Sequence, residues 1–595
     1  MTVRAIAGLT VLNLAFLGVG ASLLWGVRGW RWWTELFRLA GVAYLLGVAS
    51  LTVVLTLEIV LDIPFGPVTF LASAAGVAVA GFLLGALRDR SRPGFQPPGW
   101  RLAAPSLLAA SFAGAIVLYF EGLFRSARLL PLFETDSWWV WTIQAKALYL
   151  FGHLGGNELV RETNLSYPPG LSLLHAEGFE AIGGIDTVTL HVQHWYLAVG
   201  FVAAIVGLLA GRVRTAILFP FVLLMLVMPG FADHSIQAMA DCLLGYLASV
   251  GGLLLYLWLE DRARWRLELA TVLLAGAMLT KREGVIVVLC VVAAAFVAAG
   301  WERRWAWPRL AVATAFALVL AAPWRIWLTA TGVGDAPTGG YFDFLDHADR
   351  AWPSLELVVR TLLHPMWFGF GALAIIAPLL ALASGVRKLP VFALTFLVAS
   401  VTTSAFVIWS ETLFEISQRP SGNPVLRMVL VTMLVVAPLT PLSLETAWRR
   451  GSPASAPPPP SVDRRPGSAG ATPILAWAIL GAALLVYPAS MLVGYSGLAL
   501  PGGAPRFPGP DECVKPVMDG STVRVVLGYE ETYAEANALR SRALDADLGA
   551  ADVAQDGCGR LRVFVEDIPA ENAESTVTAA KAAGFDPSLE HDPDG

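Results

Sequence analysis

Charge is what this chain has least of. Only 15% of its 595 residues are Asp, Glu, Lys or Arg, against about a quarter in ordinary soluble domains. With 41 basic and 46 acidic residues the formal net charge is −5. No Lys/Arg cluster is interleaved with aromatic residues, so the sequence lacks the electrostatic footprint of a nucleic-acid partner. Cysteine is equally scarce. Four thiols cannot build a disulfide scaffold, and Cys242 and Cys290 fall in apolar runs where a free thiol behaves as a small hydrophobe. Cys513 and Cys558 stand apart in a polar tail.

What the chain has in abundance is apolar sequence: 56% hydrophobic residues and a mean hydropathy of +0.63. The apolar runs recur at about the 20 residues a spanning helix needs. They are Val3–Val27, Leu39–Val60, Gly66–Leu87, Ala103–Phe124, Thr187–Ala210, Thr215–Met228 and Met239–Trp258. After these come Leu267–Leu279, Val285–Ala299, Leu310–Trp327, Trp367–Leu382, Leu389–Trp409, Val425–Leu442 and Pro473–Leu492. The fold class expected is therefore an all-α polytopic membrane protein of roughly fourteen transmembrane helices. The first run is long for a signal-peptide core and is followed by Arg28 and Arg31, so it reads as a retained helix.

Every second connection is basic: Arg28 and Arg31, then Arg88 to Arg101, Arg212 and Arg214, Arg262 to Arg266, Arg303 to Arg309, Arg387 and Lys388, and Arg449 onward. The positive-inside rule assigns these to the cytoplasm and the long connections, 125–186 above all, to the outside. The domain division is a transmembrane region over 1–500 with an outer catalytic loop at 125–186, a cytoplasmic Pro-rich linker at 451–470, and a small extracytoplasmic domain at 511–595. In that last domain a β-rich run at Val523 to Leu527, a helical stretch at Tyr533 to Ala546, alternation at Leu561, Val563 and Val565, and a helix ending at Gly584 give a βαββα order of ferredoxin-like type.

Chemistry concentrates in a few places. The stretch Asp136-Ser137-Trp138-Trp139-Val140-Trp141 leads to Ala145-Lys146 and reads as a helix lying on the membrane surface, with its indoles at headgroup depth. Asp136 opens that helix, where it serves either as an N-cap or as a general base for a hydroxyl acceptor. Ser166-Tyr167-Pro168-Pro169 makes a stiff extended lead-in to a further apolar helix. Asp241 begins a span, where a buried acid needs a partner. Lys281-Arg282-Glu283-Gly284 sets two cations in a short outward connection, either a solvated turn or a site for a bound phosphate.

In their order, Asp136 through Trp141 to Lys146, Tyr167-Pro168, Ala240-Asp241 and Thr280 to Gly284 resemble the GT-C superfamily of membrane glycosyltransferases, especially the bacterial protein O-mannosyltransferase and RgtA-like groups. The resemblance covers about Phe133 to Gly284. It departs from many relatives at Ser166, where they carry an acid, and in the number of helices before the long loop. It implies a bacterial inner-membrane enzyme that moves a sugar from a polyprenyl-phosphate donor to an envelope glycan, lipid or protein. Asp136 would be its catalytic base and Lys281 and Arg282 its donor-phosphate ligands. Asp241, Lys146, Tyr167 and Glu283 would support the site, and Trp138, Trp139 and Trp141 would line the lipid and sugar interface. No resident cofactor is expected, while a divalent cation is left open. The tail resembles peptidoglycan-binding SPOR modules in length and element order. The rival reading is a lipid-linked sugar flippase, which predicts polar residues throughout the bundle and related halves.

Placed in an oxidising compartment, Cys513 and Cys558 are expected to form a disulfide. Alkylation without reductant should leave both unmodified, and a mass gain on both thiols would refute the bond.

Overall fold

The computed structural model describes residues 3–30, 32–90, 94, 107–128, 132, 136–155, 160, 165–300, 303–331, 343–410, 424–451, 522–530, 533–555 and 561–590. The linker at 451–470, the run Pro473–Leu492, Cys513 and Cys558 lie outside these residues, apart from Gly451.

Eight helices among the described residues are long and apolar enough to cross a membrane, or up to ten if each of two bent pairs forms one span. The windows of His191–Leu209 and Ala240–Asp261 are wholly buried, whereas only 22% of Pro67–Leu87 and 17% of Arg304–Ala330 is covered. The outer helices therefore present Leu71, Leu83, Val312, Phe316 and Val319 to their surroundings. So continuous an apolar surface is a liability in water and the normal contact surface in lipid.

Several expected runs take shorter or broken forms. Arg264–Met278 and Gly284–Ala298 have 15 residues each, about 22 Å of helix against a hydrocarbon core of about 30 Å. Thr215–Val227 turns by 70° into Pro229–Ser235, because Met228, held extended ahead of a proline, interrupts the helix. His347–Trp367 turns by 104° into Phe370–Ala383 across Phe368 and Gly369, both in the left-handed region. Gly170–Ile182, the helix after the two prolines, is too short to span and is buried along most of its length.

The first helix packs closely on Ala40–Val60 through small residues. A Cβ on Gly20 would stand 1.6 Å from the Ala43 carbonyl oxygen, and one on Gly47 would stand 1.8 Å from that of Phe16.

The basic connections meet at one end of the bundle. There Arg88 grips Glu268 with two bonds, at 2.9 and 3.1 Å, and Arg214 and Arg449 both hold the buried Glu445. Lys388 donates to the Leu259 carbonyl at that end as well. Asp261, in the same layer, ends the helix that Asp241 begins. The rise of twenty residue steps from one to the other places the two acids about 30 Å apart along the axis, one hydrocarbon thickness.

The C-terminal domain is a four-stranded antiparallel sheet of β1 (Thr522–Glu530), β2 (Ala551–Gln555), β3 (Leu561–Pro569) and β4 (Ser588–Glu590), in the order β2-β3-β1-β4. Val523, Val525 and Leu527 join Leu561, Val563 and Val565 in a core with Ala536 and Ala580 of its two helices. The order is thus βαββαβ. β4 went unread because three residues are too few to show an alternation.

Gly47→Ala is expected to force the first helix and Ala40–Val60 apart at a backbone contact and to lower stability by about 1–3 kcal/mol, read as a fall in the unfolding midpoint of purified protein. Gly18→Ala, with nothing within 4 Å of the added carbon, should leave the midpoint in place.

Candidate functional site

At the end of the bundle opposite the basic layer, acids and cations from four distant segments converge. The helix Ala240–Asp261 brings Asp241 in its first turn, and the turn between Arg264–Met278 and Gly284–Ala298 brings Lys281, Arg282 and Glu283. Lys281 Nζ donates to Asp241 Oδ1 at 2.8 Å and stands 3.4 Å from Glu283. Both members of the closer pair are buried, with side chains 10% and 4% exposed. The turn is therefore not a solvated one, and the partner that the Asp241 carboxylate requires is Lys281.

Asp136 sits where the helical stretch begins, but its carboxylate makes no capping bond to that stretch. It accepts instead from Arg427 Nη1, on the helix Pro424–Arg450. The Asp136 side chain is 42% exposed and that of Arg427 is 15% exposed. Arg427 also lies within electrostatic range of Asp241 and Glu283. Sequence reading missed this arginine, because it lies 291 positions from its partner inside an apolar run. A lone cation near the end of a span was the one signal available.

Ser137–Thr142 is a π-helical turn rather than an α-helical one and passes into an α-helix at Ile143–Phe151. Such turns are rare and shift the phase of the side chains that follow. In place of a row of surface indoles, Trp139 is exposed, Trp138 is half-buried and Trp141 is 2% exposed. Trp138 donates to the Leu132 carbonyl and Ser137 donates to that of Ala238, at 3.0 Å. Trp141 meets Tyr167 edge to face at 5.3 Å. Trp141 is thus a packing residue that backs Tyr167, and the expectation that it lines an interface is corrected.

Arg282 lies over the Tyr167 ring at 4.5 Å and donates to the Ser166 hydroxyl and carbonyl. Ser166 is thus an acceptor for this arginine. Burial pushes the Tyr167 phenol above its ordinary value, with Glu283 adding to the rise. Lys146 sits over the Trp138 ring at 5.3 Å, and burial pulls its ammonium below the ordinary lysine value. Gly170 N donates to the Leu279 carbonyl at 2.9 Å, locking the lead-in against the cationic turn.

The cluster opens on a cleft of about 440 Å³, open solvent included. Asp241, Lys281 and Glu283 stand at its charged end, and Ile286, Val407 and Val431 line its apolar wall. Ser400, Thr403 and Ser404 add hydroxyls. Asp136 does not line the cleft, but its partner Arg427 is within electrostatic range of Asp241 and Glu283, which do. One buried oxygen of Glu283 has no hydrogen-bond partner. Among the described residues no three His, Cys, Asp or Glu side chains gather as metal ligands.

No family model, curated protein or solved structure matches the chain.

Lys281→Met should strand the Asp241 carboxylate in a buried position and destabilise the protein by about 3–5 kcal/mol. Adding Asp241→Asn should recover most of that loss in thermal unfolding. A single variant as stable as the wild type would show that the pair does not carry this weight.

Proposed function

We propose that this chain is a GT-C-type membrane glycosyltransferase of about fourteen spans, with a small C-terminal domain of ferredoxin-like topology. In this reading it lies in a bacterial cell membrane with the acid and cation cluster outside the cytoplasm. The sugar comes from a polyprenyl-phosphate donor and passes to a hydroxyl of an envelope glycan, lipid or protein. The observation that carries the reading is the juxtaposition of that cluster with a cleft running down between apolar helices. An amphiphile with an anionic head has the matching form.

The reaction is an inverting displacement. Asp136 takes the proton from the acceptor hydroxyl as its oxygen attacks the anomeric carbon. The bond from that carbon to the phosphate oxygen breaks, and its electron pair leaves with the lipid phosphate. Lys281 and Arg282 stabilise the charge that develops there, usually the largest contribution to catalysis. A flippase would place ionisable groups along the route through the bilayer. The ion pairs described here instead gather at the two ends of the bundle, which favours chemistry at the surface.

Asp136→Asn keeps the size of the side chain and removes its basicity. The purified variant is expected to bind polyprenyl-phosphate sugar but lose transfer by about a hundredfold or more, the usual worth of a general base. Arg282→Ala, which gives up contacts to neutral partners, should weaken donor binding first. Near wild-type transfer by a folded Asp136→Asn would remove the base assignment and turn attention to Asp241.

A further inference from the structure

We propose that Arg427 is an anion-responsive clamp on Asp136, holding the carboxylate until a phosphate group arrives and then releasing it. The inference rests on the lipid-phosphate reading above and adds to it an order of events.

The site is balanced by charge type. Three carboxylates, Asp136, Asp241 and Glu283, face three cations, Lys281, Arg282 and Arg427. An incoming phosphate brings further negative charge and competes for these cations; Arg282, held by the neutral Ser166 and Tyr167, can turn to it without leaving an acid, and drawing on a second cation takes one from a carboxylate. Burial decides which. Lys281 cannot leave Asp241 without stranding a carboxylate that is 4% exposed, a state heavily penalised in a low dielectric. Arg427 can leave Asp136, because that side chain is 42% exposed and water can take over its solvation. Arg427 is also positioned for the exchange, since it already lies within range of Asp241 and Glu283, which stand at the charged end of the cleft. A guanidinium presents a planar fork suited to carboxylate and phosphate alike, so one residue can hold either anion in turn.

The consequence is that Asp136 becomes available as a base only after the donor phosphate is seated. An acceptor that enters first meets a carboxylate still engaged by Arg427, so donor binding comes before activation of the acceptor hydroxyl.

The test uses the full chain in phosphate-free maltoside detergent and follows carbodiimide modification of Asp136 by peptide mass, since an ion-paired carboxylate reacts slowly. The probes are a polyprenyl monophosphate, the matching polyprenol and inorganic phosphate, with binding of each read in parallel by thermal shift. Polyprenyl phosphate is expected to speed modification of Asp136 about tenfold, within the ordinary range of coupling between two events on one protein. The polyprenol should have no effect. Acceleration by inorganic phosphate alone supports the clamp with the anion, not the lipid, as its trigger. Arg427→Gln should be modified rapidly with or without ligand, and Arg427→Lys should restore part of the response. If Arg427→Gln does not fold, the wild-type and Arg427→Lys results decide. Binding of polyprenyl phosphate with no change at Asp136 overturns the clamp and leaves the lipid-phosphate reading standing. Failure of both phosphates to bind overturns both.

Discussion

A charge in the hydrocarbon core costs about 3 kcal/mol on insertion scales unless it finds a partner, and the arrangement of this site follows from that constraint. Asp241 opens a helix that is buried along its whole apolar window, so its carboxylate has to be met by a cation from another segment. Lys281 supplies it at 2.8 Å. For the lysine to be there, Arg264–Met278 must end and Gly284–Ala298 must begin at this level. Their turn also sets Arg282 against Tyr167 and holds Gly170 by its backbone, fixing the segment that Trp141 backs.

The opposite end of the bundle obeys the same rule with less burial. Glu445 is 1% exposed and is held by two arginines whose own side chains are about half exposed. Arg88 closes a forked contact on Glu268 across 180 residues of sequence. These pairs tie helices together at their ends, while the interior between them is joined by close approach at Gly20, Gly41 and Gly47. Packing at small residues supplies the helix association that the hydrophobic effect cannot supply within lipid.

The sequence showed whatever depends on local period. Apolar runs marked the long helices, and alternating basic connections marked a layer that the structure gathers at one end. Lys281 and Asp241 were legible as a cation and an acid out of place, each needing an explanation. The π turn was not legible, since SWWVWT carries no pattern that separates it from an α-helix. Nor was Arg427, whose meaning lies in a contact across 291 residues. Gly170–Ile182 was readable as an apolar helix but not as a core element, because burial without spanning is a property of its neighbours.

The difference between the two acids carries the last step. Asp241 is enclosed and firmly held by Lys281, so its role is to fix that lysine in place, and a proton exchanged there would leave a buried ammonium without its counter-charge. Asp136 is partly open to water and is held by an arginine from a different helix, so water can take over the solvation of its carboxylate when the pair opens. A group that must accept a proton and later give it up needs that freedom. In the glycosyltransferase reading proposed above, geometry alone would allow either acid to be named as the base, and the solvation of the unpaired state favours Asp136 over Asp241 for that role.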